Sequence, residues 1–217
     1  MSQLIFKFPF KTNYFEEDFY VSENNFDAYK LIESWPKWPG KFMNIFGPSG
    51  CGKTHLSNIF KKKINSFFIK SSELNSDVLL AIKTKECLII DEYKNNIEEK
   101  LFYSVLNQSY LSNQFIIVNS LTPIQSFKVN LNDLKSRFDS FVNISIDLPT
   151  DELIKVVISK NFSDKQVKIE NKLLEYIVKN IDRSYEAIFD LINKLDDFSL
   201  STGKSININL IKKALNK

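Results

Sequence analysis

Lys53 and Thr54 close the run Gly47-Pro48-Ser49-Gly50-Cys51-Gly52, in the spacing G-x-x-x-x-G-K-T. Glycines at those places let backbone N–H groups wrap a phosphate chain without a Cβ in the way. The lysine is placed to reach the β and γ phosphates, the threonine hydroxyl to ligate magnesium, and a helix opening at Lys53 to favour the anion by its dipole. A second pair of reactive groups ends the apolar run Cys87-Leu88-Ile89-Ile90, where Asp91 and Glu92 follow. Asp91 is expected in the magnesium shell, and Glu92 as the group that orients or deprotonates an attacking water. Asn119, followed by Ser120, ends the next apolar run. A polar side chain there can bridge that water and the γ phosphate, or simply cap a strand end. The only histidine, His55, directly follows the loop.

These residues need a scaffold that carries strand ends to one place. Short apolar, β-branched runs at Phe42–Phe46, Phe67–Ile69, Leu88–Asp91, Phe115–Asn119 and Phe141–Ile146 alternate with helical patterns. That alternation predicts an α/β fold with a five-stranded parallel sheet, its strands apolar on both faces. The helical patterns cover Phe26–Glu33, Lys53–Lys63, Asp77–Lys83, Glu98–Tyr110 and Leu131–Phe138. After Pro149 the strand pattern stops, and period-3.6 apolar positions mark helices at Asp151–Lys160, Asn171–Asn180, Arg183–Phe198 and Asn207–Asn216. Thr150 before Asp151 and Glu152 reads as a helix N-cap with acids at the positive dipole end.

Composition narrows the classes. The chain has 217 residues, 43% hydrophobic and 25% charged, enough for a folded core. A net charge of +3 is too small to mark a nucleic-acid binder by itself. Cys51 and Cys87 have neither metal-ligand nor disulfide spacing, and no apolar run reaches the ~20 residues that span a bilayer. No membrane association and a cytoplasmic location are therefore expected. Of 29 basic residues only Arg137 and Arg183 are arginine, so each is expected where a planar, always-charged fork is needed.

Together the motifs resemble the AAA+ P-loop NTPases, and within them the DnaA-related Hda family. Phe19-Tyr20-Val21 with Asn25 and Ala28 resembles the segment that lies near adenine, and Gly52-Lys53-Thr54-His55-Leu56 the continuation of the phosphate loop. Leu134-Lys135-Ser136-Arg137-Phe138 resembles the element that carries an arginine finger, and the tail from Ile181 resembles the lid helices. Gln3-Leu4-Ile5-Phe6-Lys7-Phe8 resembles a clamp-binding motif, with Gln3, Leu4, Phe6 and Phe8 as its contacts, whereas Leu4–Phe8 read in isolation is an edge strand of the chain's own sheet.

The resemblance implies three regions: a clamp-binding segment over 1–12, an AAA+ α/β domain over 13–148 and a helical lid over 149–217. It implies ADP or ATP with Mg2+ as cofactors, Asn25, His55 and Arg183 as further nucleotide contacts, and Asn119 in the sensor-1 role. The partners it implies are the AAA+ domain of DnaA and the DNA sliding clamp, with DNA contact indirect or weak and homo-oligomerisation open. Arg137 would then promote hydrolysis of ATP held by a neighbouring DnaA and so prevent re-initiation of replication; a plain surface pairing with Asp133 or Asp139 is the bland alternative. The sensor-2 register falls on Arg183 or on Glu186, and a glutamate there would repel a γ phosphate, so intrinsic ATPase activity is expected to be weak or absent. The chain begins its phosphate loop at residue 47 and stops at Lys217, so an origin-binding helix-turn-helix is not expected. The alternative within the fold is a DnaA-like adaptor or helicase-loader-type ATPase. A small-molecule kinase and a binding module with a dead nucleotide site are rivals from other classes.

Overall fold

A computed structural model describes residues 14–202 and 205–215. The expected clamp contacts Gln3, Leu4, Phe6 and Phe8 lie outside the described residues. Two compact units are present, one spanning Tyr14–Asp147 and the other containing Leu148 onward.

In the first unit five strands, β1 (Phe42–Phe46), β2 (Ser66–Lys70), β3 (Cys87–Tyr93), β4 (Phe115–Ser120) and β5 (Val142–Ser145), form one sheet in the order β2-β3-β4-β1-β5. Every neighbouring pair is parallel. α1 (Phe26–Glu33) precedes β1, and parallel pairing follows from the helices between strands: α2 (Lys53–Lys63), α3 (Val78–Ala81), α4 (Glu99–Leu111) and α5 (Asn132–Asp139). Ile89, Ile90, Ile116, Ile117, Val118, Met43 and Ile45 are fully buried, so the three inner strands are covered on both faces as expected. The edges depart from that expectation. In β5, Val142 and Ile144 are half-buried while Asn143 and Ser145 are exposed, and Phe67 and Phe68 of β2 are only half-buried. An edge strand has less of the molecule layered over it, and the alternation in Val142-Asn143-Ile144-Ser145 already carried that sign.

Asn44 is a fully buried amide on β1. It donates to the Val118 carbonyl at 2.8 Å and the Ser120 hydroxyl at 2.8 Å, and accepts from the Ile124 N–H at 2.8 Å. With all three partners made, it stitches β1 to the end of β4 and the turn beyond. Trp35 and Trp38 pack as a rigid lead-in to β1, on Phe60 and Phe115 with centroids 4.4–5.4 Å apart, and the Trp38 indole donates to the Leu31 carbonyl.

The second unit is helical: α6 (Asp151–Asp164), α7 (Asn171–Asn180), α8 (Tyr185–Thr202) and α9 (Ile208–Ala214). Its core gathers Ile154, Ile158, Phe162, Ile177, Ile188 and Leu195, each 1% exposed or less. The Thr150 hydroxyl accepts from the Leu153 N–H at 3.2 Å, which is the cap the sequence implied. α8 begins later than expected, because the Ser184 hydroxyl accepts from the Ala187 N–H at 3.1 Å. That cap leaves Arg183 ahead of the helix.

Candidate functional site

β1 leaves the sheet at Phe46, and the chain turns back through Gly47 to enter α2 at Lys53. Two glycines are obligatory here. A Cβ at Gly47 would lie 2.3 Å from the Ile146 carbonyl oxygen. Gly52 has φ +100°, and a Cβ on it would lie 3.1 Å from Cε2 of Phe19. Pro48, Ser49 and Gly50 form the crest of the loop, with Ser49 and Gly50 exposed. The Lys53 ammonium donates to the carbonyls of Gly47 at 2.7 Å and Pro48 at 2.9 Å, so it supports the loop that it must also serve. Cys51 is buried against it. Burial pushes its thiol pKa up, and Lys53 only partly offsets the shift.

The neighbours of β1 bring in the polar groups. Asn119, near the end of β4, pairs in register with Ile45, and β3 lies on the far side of β4. Asp91 is 2% exposed, and its two oxygens are divided. One accepts from the Thr54 hydroxyl at 2.8 Å, the other from the Asn119 amide at 2.8 Å. The Asn119 amide also donates to the Ser57 hydroxyl at 2.8 Å. Its own carbonyl oxygen, fully buried, has no protein partner. Because both Nδ2 bonds need acceptors, that orientation of the amide is fixed by the network. An unmet buried acceptor costs about 1–3 kcal/mol, which a water or ligand donor would recover. A carboxylate and a hydroxyl are hard oxygen donors, and one or two of them plus phosphates are how proteins hold Mg2+, so this set fits that ion. Ser57 was not singled out from the sequence; its position one turn after Thr54 on α2 was the available signal.

Other expected site residues are placed differently. Glu92 has φ 58°, at the break in register between Ile90 and Tyr93. Its carboxylate, half exposed, pairs with Lys70 of β2 at 2.9 Å, while its carbonyl accepts from the Ser71 hydroxyl. The pair raises the Lys70 pKa. Glu92 is therefore engaged away from Thr54 and Asp91 rather than joined to them. Asn25 is buried with both ends of its amide used internally, donating to the Tyr20 carbonyl and accepting from the Ser22 N–H, each at 2.9 Å. His55 turns toward the preceding segment: Nε2 lies 2.6 Å from the Phe15 carbonyl, and the Tyr14 and Phe19 rings meet it edge-on. A carbonyl partner requires Nε2 to carry the proton.

Arg183 pairs with Asp151 at 2.8 Å on an exposed surface, 63% and 50% accessible, and Glu186 is exposed at the start of α8. Such a pair contributes little to stability. The run Lys61-Lys62-Lys63 is occupied within the chain: Lys61 over Phe68, Lys62 over Phe15, and Lys63 with Glu16 and Glu33.

Arg137, in the last turn of α5, is half-buried. Its guanidinium donates to Asn107 Oδ1 at 2.7 Å and lies 4.5 Å from the centroid of Tyr110. Among the described residues no carboxylate pairs with it, so neither Asp133 nor Asp139 plays the bland part. Tyr110 in turn meets Phe42, the first residue of β1, with centroids 6.4 Å apart. The phosphate loop follows the last residue of that same strand.

Comparison with known proteins agrees with this architecture. A family model described as the Hda lid domain matches residues 151–215, and one described as RNA helicase matches 43–146. The chromosomal replication initiator DnaA of Buchnera aphidicola is 27% identical over 243 residues, covering 99% of this chain and 53% of its own length. That of Borrelia turicatae is 29% identical over 217 residues, covering 86% and 44%. The chain thus spans about half the length of the curated relatives it matches. Among solved structures, domain III of Thermotoga maritima DnaA superposes with TM-score 0.77 at 21% identity, covering 96% of this chain and 98% of that one. AMPPCP-bound DnaA of Aquifex aeolicus gives 0.67 at 20%, covering 84% and 65%, and the RuvB branch-migration motor of Thermotoga maritima gives 0.69 at 22%, covering 94% and 72%. By these matches the chain is similar to DnaA-related proteins, with an AAA+ α/β fold followed by helices that match the Hda lid.

Proposed function

We propose that this chain binds an adenine nucleotide at Gly47–Thr54 and uses Arg137 to promote hydrolysis of ATP held by a neighbouring DnaA. The observation that carries the reading is the separation of the two groups. Arg137 stacks on Tyr110 against the first residue of β1, and the phosphate loop starts beyond the last. Five strand residues span about 16 Å, beyond the reach of the side chain, so Arg137 has no role at its own loop. A guanidinium free of carboxylate partners at that end suits an anion on another molecule.

In its own site, Lys53 binds phosphate oxygens at the N-terminus of α2, and Thr54 and Asp91 would hold Mg2+. The bound ion would neutralise phosphate charge there. The unmet Asn119 carbonyl oxygen takes a donor such as a water, and so orients it. Glu92, tied to Lys70, is not poised as a base, which supports weak or absent turnover of the chain's own nucleotide. The AMPPCP carried by the Aquifex aeolicus relative supports the adenine class, with ADP and ATP both open. Docking on the sliding clamp through Gln3, Leu4, Phe6 and Phe8, and a negative effect on replication initiation, complete the proposal.

The test is single-turnover hydrolysis of labelled ATP pre-bound to DnaA, with clamp-loaded DNA and ADP, with and without this protein. Acceleration is expected, and Arg137→Ala should remove most of it, since arginine fingers contribute about 10³–10⁵ in rate. No acceleration, with clamp and nucleotide confirmed bound, would overturn the reading in favour of an adaptor for a different partner.

A further inference from the structure

Resting on that reading, we propose that Tyr110 is the positioning residue for Arg137, holding the guanidinium in place without neutralising it. Tyr110 lies near the end of α4, 56% exposed, an unusual place for a large aromatic ring unless one of its faces is used. One side of it meets Phe42, which is buried at 3% exposure and fixed in β1. Against the ring lies the Arg137 guanidinium, 4.5 Å from the centroid. The Asn107 carbonyl oxygen, 2.7 Å from Nη2, fixes the rotation of the fork. Tyr110, Asn107 and Arg137 come from two helices that pack side by side, α4 and α5.

The chemistry of the two partners matters more than their number. A carboxylate in either place would cancel most of the positive charge and would have to be broken before an outside phosphate was met. An amide oxygen and an aromatic face instead attract the cation as neutral partners and leave its charge intact. Arg137 is thereby ordered in advance of contact, and the cost of ordering a long, rotamer-rich side chain is met before an incoming triphosphate arrives. The platform reaches the sheet through Phe42, so the guanidinium is indexed to the same strand that carries the phosphate loop.

Two substitutions separate ring from shape. Tyr110→Phe keeps the aromatic face, and Tyr110→Leu keeps apolar bulk without it. The assay is the hydrolysis of labelled ATP pre-bound to DnaA, measured against the concentration of this protein, with near-native unfolding midpoints required of both variants. Tyr110→Phe is expected within about twofold of the unsubstituted protein, and Tyr110→Leu to lose about tenfold in maximal rate with its half-saturating concentration little changed. A purely structural contact would not yield that split, nor rescue by phenylalanine. The inference is overturned if Tyr110→Leu keeps the full maximal rate, if its defect lies in half-saturation, or if Tyr110→Phe falls as far. Arg137→Ala separates the two levels. A full rate from that variant overturns the trans-hydrolysis reading itself, whereas a loss there with an intact Tyr110→Leu rate overturns only the positioning.

Discussion

Replacing Gly52 by alanine makes two demands on the structure, and they can be measured apart. Alanine must adopt φ near +100°, in the left-handed region, at about 1–2 kcal/mol. Its Cβ would also sit 3.1 Å from Cε2 of Phe19, tight enough that the ring must give by a few tenths of an ångström. Phe19 cannot retreat freely, because it stacks on Tyr29 at 6.0 Å and meets His55 edge-on at 5.4 Å. That crowding adds about 1–2 kcal/mol, for a total near 2–4 kcal/mol. Phe19→Leu alone gives up the two ring contacts, about 1–2 kcal/mol. In the double variant the crowding is relieved, so its cost should fall short of the sum by about 1 kcal/mol. The assay is urea unfolding followed by tryptophan fluorescence. Trp35 and Trp38 are the only tryptophans and both lie in the sheet unit, so the signal reports that unit alone. Additivity within about 0.5 kcal/mol would refute the contact between Phe19 and the loop. Gly47→Ala is the counter-case: its Cβ meets the Ile146 backbone oxygen at 2.3 Å, so no side-chain truncation should rescue it.

Asp91→Ala removes the acceptor shared by Thr54 and Asn119, and should cost about 2–4 kcal/mol in unfolding free energy as well as Mg2+-dependent nucleotide affinity; an unchanged midpoint would argue against the network. Lys53→Ala should lower the unfolding midpoint even without nucleotide, because the Gly47 and Pro48 carbonyls lose their shared cation. Lys70→Ala releases Glu92, and any intrinsic ATP hydrolysis should rise, whereas a fall would show that the ion pair supports the site instead. Burial pushes the Cys87 thiol well above its ordinary 9.0 and the Tyr93 phenol well above 10.0, so the native state keeps both protons longer than the unfolded chain does. Stability from Cys87 is complete below pH 9.0 and that from Tyr93 below 10.0, and each is lost as pH rises beyond that point, by up to about 1.4 kcal/mol per pH unit. Unfolding midpoints between pH 7 and 10.5 should show this decline, and Cys87→Ala should remove its first part.

How far the sequence was legible follows the range of the interactions concerned. β1, α1, α2 and α7 fall at the bounds read from pattern alone, because strand runs, glycines and helix caps act within a few residues. The loop and its alignment with Asp91 and Asn119 were legible for the same reason, since each group sits within two residues of the end of its own strand. The delayed start of α8 turned on the Ser184 hydroxyl competing as a cap, a local signal that was present but outweighed by the apolar periodicity. The fate of Glu92 and of Arg137 was not legible. Each depends on a partner from another element, Lys70 on β2 and Tyr110 on α4, and nothing near either residue in the chain names that partner. The edge strands were read as too buried because the order of strands in the sheet, which decides what covers them, is itself a long-range property.

The placement of phosphate loop and Arg137 at opposite ends of β1 has a consequence for symmetry. An interface that joins one end to the other brings two unlike surfaces together. Two like chains can satisfy it in either of two ways, as a two-fold pair in which each end faces the other's opposite end, or as a row that runs head to tail. On the role proposed for Arg137, both contacts of the first lie within one closed pair, whereas in the second one molecule gives the cation and the next supplies the anion. Each molecule in such a row is a donor on one side and an acceptor on the other, and only the molecules at its two ends escape that double role.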